Sequence, residues 1–396
     1  MRYTPYGGAE VFLSRFIDEL VKNGHTCHLF AAKWDENTGV RGQGSWVRKA
    51  QPFVFHKVKA FGPSFLRLLS FAANSYFAIR KANLDIVVSF ERTLYQDIYR
   101  AGDGCHKEWL IQRRQVTSHK SQVTSQTILL LKQFIVYFNP LHLTILYLKK
   151  KLFKSKKLKF VVANSNRGKE EIIRHYKLPE DNICVIYNGI DINEFDLGCR
   201  DKIRAAYREK LNIKDEIALL FVGSGFERKG LGFLIEAIGI LKRNGYNKLK
   251  LIVAGKGKIR KYKNAADRLG IGKDVIFTGP VKDVQGYYSA ADIFILPSIY
   301  EPFSNACLEA MASGLPVVTS RINGVSEILT DGKDGEIIED PANPEEIAEK
   351  IKPLLDERTR QAAGREARMT VVNHSIERNV ERFLRLIDEV RGGLKG

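Results

Sequence analysis

The sequence predicts an α/β protein made of two Rossmann-like, doubly wound domains with parallel sheets. Three observations predict it. Short β-rich apolar runs alternate with stretches of helical period along nearly the whole chain. The alternation restarts near residue 217, so there are two series. Charge changes with the series: residues 1–180 hold 30 Lys and Arg against 13 Asp and Glu, while 181–396 hold 33 against 32. A chain of 396 residues is long enough for two cores. The domains are expected at 1–190 and 191–375, with the C-terminal helix 376–396 packing back on the first.

The chain opens with "MRYTPYGGAE". Its Gly7-Gly8 turn runs into a helix with apolar positions Val11, Phe12, Ile17, Leu20 and Val21. In a doubly wound domain such a turn follows a buried strand. Only "MRYTP" precedes it, so the first strand of the N-terminal sheet is expected to be missing from this chain. Strands are then expected at 26–32, 84–90, 158–165 and 183–189. The second series places strands at 217–225, 249–257, 274–279, 291–298 and 315–320. Its helices are expected at 229–243, 259–269 and 302–313. The stretch 376–391 is amphipathic, through Val380, Phe383, Leu384, Leu386 and Ile387.

The basic excess is steepest at 109–169, with thirteen Lys and Arg and no acid. Within it, "QTILLLKQFIVYF" is too short and too interrupted for a bilayer span, which needs about 20 apolar residues. Two readings stand for 126–153: a helix packed on the first sheet, or an interfacial segment whose lysines meet an anionic membrane surface. The five cysteines, Cys27, Cys105, Cys184, Cys199 and Cys307, form no C-x-x-C pair, and a reducing cytoplasm suits them. No signal-peptide apolar core follows Met1.

The strongest local signal is "PSIYEPFSNACLEAMASGLPVV". Glu301 precedes Pro302, and Glu309 lies eight residues on. If the stretch is helical throughout, the two carboxylates share roughly one face, about 12 Å apart along the axis. The N–H groups near Phe303, Ser304 and Asn305 would form a positive helix end suited to phosphate. A diphosphate with a hydroxylated ring on each side, that is a nucleotide-sugar, fits such a site. Upstream, Arg228 and Lys229 follow a glycine-rich strand end in "FVGSGFERKG" and can pair with phosphate oxygens.

These motifs resemble the retaining GT-B glycosyltransferases of family 4, whose E-x7-E pattern matches Glu301 to Glu309. "PYGGAE" resembles the first glycine loop of that family. "GDGCHKEWL", "NPLHLTILYLKKKLF" and "VVANSNRGKEEI" resemble its lipopolysaccharide core glucosyltransferase subgroup. The resemblance implies two domains facing a cleft. It implies that Glu309 binds the donor ribose, Glu301 the transferred sugar, and Arg228 with Lys229 the diphosphate. Gly7 and Gly8 would let backbone approach the diphosphate and acceptor. Asp103 or its neighbour His106 would be the polar group beside the sugar. One departure stands out: many family members have Arg directly after the glycine ending the strand, where this chain has Ser224, so Arg228 is taken as the substitute.

The expected reaction is transfer of a hexose, glucose foremost, from a UDP-sugar to an anionic glycolipid such as lipopolysaccharide core. It would run with retention, at the inner face of the cytoplasmic membrane. No D-x-D motif occurs, so no metal or other cofactor is expected. The alternatives are a UDP-sugar epimerase of the same architecture and a transferase acting on another polysaccharide or lipid-linked acceptor. Nucleic acid is not an expected partner, because the basic run carries no reading motif and the second half is neutral. A dinucleotide oxidoreductase is disfavoured, since no G-x-G-x-x-G follows a strand with an acid about 20 residues on.

Overall fold

A computed structural model describes residues 8–33, 53–119, 139–195, 198 and 200–393. The chain divides into two compact units, Met1–Gly189 with Ile376–Gly396, and Ile190–Ser375. The first unit runs α1 (Gly8–Lys22), β1 (Cys27–Ala31), β2 (Phe53–Lys57), α2 (Ser64–Lys81), β3 (Val88–Ser89), β4 (Ile98–Arg100), α3 (His106–His119), α4 (Pro140–Phe153), β5 (Phe160–Ala163), α5 (Asn166–Tyr176) and β6 (Ile183–Val185). The second runs α6 (Arg200–Lys210), β7 (Ile217–Val222), α7 (Leu231–Arg243), β8 (Leu249–Ala254), α8 (Ile259–Arg268), β9 (Val275–Gly279), α9 (Gln285–Ala290), β10 (Ile293–Leu296), α10 (Asn305–Ala312), β11 (Val317–Ser320), β12 (Gly335–Ile338), α11 (Pro344–Ile351) and α12 (Glu357–Val372). The last helix, α13 (Ile376–Gly393), returns to the first unit.

The second unit holds one parallel sheet in the order β9-β8-β7-β10-β11-β12. Strand order therefore reverses between β7 and β10, which is where doubly wound sheets bind their ligands. β7, β8 and β10 are buried on both faces, as expected of Val-, Ile- and Leu-rich strands under helices on each side.

In the first unit the described strands form a parallel β1–β2 pair and a parallel sheet in the order β3-β4-β5-β6. Its core joins Phe16 of α1 to Ile98, Val162 and Ile186 of the sheet side and to Val380 and Phe383 of α13. The Phe16 and Phe383 rings meet edge to face at 5.0 Å. The strand expected before Gly7-Gly8 concerns residues outside those described. Gly7 also lies outside them, and Gly8 is the first residue of α1.

Local chemistry explains several boundaries. The Asn139 side chain caps α4 by accepting from the Leu141 N–H, with Pro140 pre-set at the first helical position. Ser165 caps α5 through the Gly168 N–H at 3.0 Å. Three strands escape the periodicity. β4 is three residues long and ends on Arg100, β12 begins at Gly335, and β2 is half-exposed. The strand expected at 84–90 contracts to Val88–Ser89. The helix expected at 229–243 begins at Leu231, after Gly230 in the left-handed conformation. The helix expected at 302–313 begins at Asn305, because Ser304 is its cap and Glu301 bridges Asn323 instead.

Candidate active site

In the second unit the loops after β7 and β10 meet at the reversal of strand order. Two glycines allow the approach. Gly230 has φ +75, and a Cβ there would stand 1.9 Å from the Pro297 carbonyl oxygen. At Gly223 a Cβ would stand 2.5 Å from Cδ of Lys229, so the lysine stem lies across that glycine. The Ile299 N–H donates to the Arg228 carbonyl at 2.9 Å and ties the two loops together.

Lys229 and Arg228 converge on a single oxygen of Glu301. Lys229 Nζ is 2.9 Å and Arg228 Nη1 3.0 Å from Oε2. Arg228 Nη1 also donates to the Tyr300 carbonyl at 3.0 Å. The Glu301 carbonyl accepts the Gly324 N–H at 3.0 Å, which fixes its backbone from the β11 side. Burial alone would raise the Glu301 pKa, but the two adjacent cations outweigh it and hold the group down at about 2.

Glu309 sits one helical turn into α10 and behaves oppositely. Burial pushes it up to about 7, with Glu194 adding to the rise and a hydrogen bond from Tyr288 opposing it. The Tyr288 hydroxyl lies 2.8 Å from Glu309 Oε2 and 3.1 Å from the Ala306 carbonyl. Residues 301–304 are not helical, so a shared helical face with a 12 Å axial spacing does not describe this pair. The Ser304 hydroxyl accepts the Cys307 N–H at 3.3 Å, Phe303 is buried, and Asn305 is half-buried at the helix start. Arg228 and Lys229 stand before α7 rather than in it. They are spared the repulsion of a positive helix end.

The first unit gathers Asp103 and His106 in a second charged cluster. Asp103 Oδ1 accepts from Lys149 Nζ at 3.0 Å and from the Tyr99 hydroxyl at 3.1 Å, and Arg92 pairs with Oδ2. Lys149 also donates to the Gly104 carbonyl. Burial would raise the Asp103 pKa, but Lys149 and Arg92 bring it to about 2. His106 opens α3, stacks on Trp109 and places Nε2 3.1 Å from Nδ1 of His142. Burial, with His142, Lys149 and Arg92 nearby, lowers its pKa to about 3, so the ring is neutral at neutral pH.

Sequence reading missed Arg92, Tyr99, His142 and Lys149 here. Lys149 counted toward the basic run, but it is fully buried and serves Asp103. The one available signal was the seven-residue interval between His142 and Lys149, two helical turns that put both on one stripe of α4. Of the stretch 126–153, residues 126–138 lie outside those described. The remainder is α4, which buries Ile145, Leu148 and Leu152. The four described cysteines are free thiols.

Known proteins give the site its family. Residues 6–194 match the model for Glycosyltransferase Family 4, and residues 203–370 match that for Glycosyl transferases group 1. The chain is 24% identical over 355 residues to the lipopolysaccharide glucosyltransferase WaaG of Escherichia coli, covering 89% of this chain and 87% of that one. It is 37% identical over 202 residues to an uncharacterized glycosyltransferase of Methanocaldococcus jannaschii, covering 50% of this chain and about half, 51%, of that relative. Its fold matches the crystal structure of WaaG with TM-score 0.76 at 23% identity, covering 96% of both chains. It matches Anabaena HepE in complex with UDP and glucose with TM-score 0.66 at 17% identity, covering 98% and 97%. The chain thus has the GT-B fold and belongs to the glycosyltransferases, a family 4 domain followed by a group 1 domain.

Proposed function

We propose that this chain transfers a hexose, glucose foremost, from a UDP-sugar to an anionic membrane-associated glycan of the lipopolysaccharide core type, with retention. The observation that carries the reading is the Arg228–Lys229–Glu301 cluster at the strand-order reversal of the second unit. Two cations there await an anion stronger than one carboxylate, and a diphosphate is such an anion. WaaG, by name a lipopolysaccharide glucosyltransferase, and HepE, solved with UDP and glucose, support the donor and acceptor classes.

In this mechanism breaking the sugar–phosphate bond leaves negative charge on the diphosphate. Arg228 and Lys229 stabilise that charge, the term that contributes most to such reactions. Glu301, released from its cations, accepts hydrogen bonds from the sugar hydroxyls. Glu309 accepts from the ribose. Because the cations supply the positive charge, activity should survive a chelator. On the acceptor side, Asp103 stays ionised and His106 neutral across neutral pH, so both can accept hydrogen bonds from hydroxyls without a change of charge. The enzyme acts at the inner face of the cytoplasmic membrane.

The first test is thermal shift against UDP, GDP, ADP and CMP, with folding followed by circular dichroism. Stabilisation by UDP alone, abolished in Glu309→Ala, is expected. Folded protein that ignores all four nucleotides would overturn the reading. Conversion of a UDP-sugar into its epimer, with no UDP released, would favour the epimerase.

A further inference from the structure

Glu309 has two carboxylate oxygens, and the fold treats them differently. Oε2 is held from behind by the Tyr288 hydroxyl at 2.8 Å. Oε1 makes no hydrogen bond among the described residues. Glu309 is half-buried, whereas Tyr288 is fully buried. The tyrosine ring is fixed independently of its hydroxyl. It sits in the short helix α9, edge to face with Phe195 and tilted against Phe294, each at 5.9 Å. A phenol has one proton to give. Two acceptors lie within its reach, Glu309 Oε2 and the Ala306 carbonyl at 3.1 Å. That carbonyl lies inside α10, where the N–H four residues on is its ordinary partner. The proton can therefore serve the carboxylate when Glu309 is ionised. When Glu309 is protonated, the phenol oxygen accepts from it and donates to Ala306. In both states Oε2 is the oxygen that is held.

We infer that Tyr288 is a positioning residue for the nucleotide: its hydroxyl anchors one oxygen of Glu309 and leaves the other to accept from the hydroxyl pair of a ribose. This rests on the proposed transferase reading, which gives the ribose to Glu309. The charges facing Glu309 are few. Tyr288 comes from α9, Glu194 from the turn Ile192–Phe195 and Lys229 from the loop after β7. Cys307, on the same helix, is buried with its thiol pushed up to about 11. Arg368 of α12, which packs on α10, donates to the Phe195 and Ala312 carbonyls. Burial and Glu309 itself raise the Tyr288 pKa well above its usual value, so the hydroxyl keeps its proton and stays a donor. Tyr288 and Lys229 favour the ionised form of Glu309, while burial and Glu194 oppose it. Removing the hydroxyl therefore moves the ionisation of Glu309 to higher pH.

The test compares UDP with 2′,3′-dideoxy-UDP by isothermal calorimetry on the full chain, in the wild type and in Tyr288→Phe, which keeps the ring. The pH at which UDP affinity rises should move up by about one unit in the variant, as expected when a hydrogen bond to a charged group is lost. At pH 7 the ionised fraction of Glu309 then falls from about half to about a tenth, so UDP should bind at least about fivefold more weakly. Dideoxy-UDP offers Glu309 no ribose hydroxyl and should bind both proteins within about twofold of each other. Replacing Tyr288 by 3-fluorotyrosine keeps the hydroxyl and makes it a stronger donor, so the same pH should fall below the wild-type value. That replacement carries the test if Tyr288→Phe does not fold. Equal weakening of UDP and dideoxy-UDP, or a pH profile that neither replacement moves, would overturn the inference and leave Tyr288 a packing residue. If the wild type prefers UDP to dideoxy-UDP in that case, this inference falls alone. Wild-type protein that binds no UDP would overturn the transferase reading and this inference with it.

Discussion

The two units each hold one carboxylate between two cations, and the clusters expose opposite members. In the second unit the Glu301 side chain is 11% exposed, and Arg228, at 33%, is the member nearest water. In the first unit the order is reversed: Lys149 is 1% and Arg92 14% exposed, while Asp103 is 37% exposed. Both carboxylates are held near 2 by the same kind of neighbours. What differs is which charge is presented. The second unit presents a cation, suited to phosphate. The first presents an anion braced from beneath, suited to hydroxyl groups. The number of ion pairs says little about function here; the accessible member of each says more.

The sharpest way to break this contrast is to remove the presented cations. Lys229→Ala should lower the transfer rate about 10²–10³-fold, read as kcat on a UDP-sugar, with circular dichroism unchanged. A loss below tenfold would mean that the lysine serves Glu301 rather than the donor.

In the first unit the buried cation is the structural member. Lys149→Met should cost about 2 kcal/mol of stability in urea unfolding. That is less than a fully buried pair loses, because Asp103 is partly screened by water. UDP affinity should not change. If UDP binding falls with it, the two clusters do not act separately.

The two glutamates of the second unit can be separated by pH. Glu309 sits near 7 and Glu301 near 2, so only Glu309 changes charge around neutrality. If the ionised form accepts from the ribose, UDP affinity rises with pH through 7 and then levels. It should be about tenfold weaker at pH 6 than at pH 8. Isothermal calorimetry of the wild type and Glu309→Gln would show it, with the dependence flattened in the variant.

The smallest expected effect is at the start of α10. Ser304→Ala removes the cap on the Cys307 N–H and should cost about 1 kcal/mol in thermal unfolding of the second unit. A loss of UDP affinity much beyond that would give Ser304 a part in holding the donor.

Much of the second unit was legible because its signals are local. β7, β8 and β10 are continuous apolar runs, and the residues of its site lie in two short stretches, 223–230 and 301–309. Even there the helix was placed three residues early. Pro302 reads as a helix start, whereas the hydrogen bond that sets the boundary comes from Ser304. The first unit was less legible. β4 is too short to show a period, and its Arg100, buried in the fold, argues against a strand in the sequence. The cluster around Asp103 draws on residues 92, 99, 103 and 149, which no spacing rule connects.

The repeated alternation of strands and helices, the basic character of the first half and the grouping of residues 228, 229, 301 and 309 in two short stretches were readable from the chain alone. These follow from periodicity and from residues adjacent in the chain. Packing of distant segments sets Lys149 inward toward Asp103 while Lys150 and Lys151 turn outward. It also decided that Glu301 is shielded while Arg228 reaches water, and that Glu309 and Glu301 differ by about five pKa units. Burial and proximity set charge and exposure, and both arise only when distant segments pack.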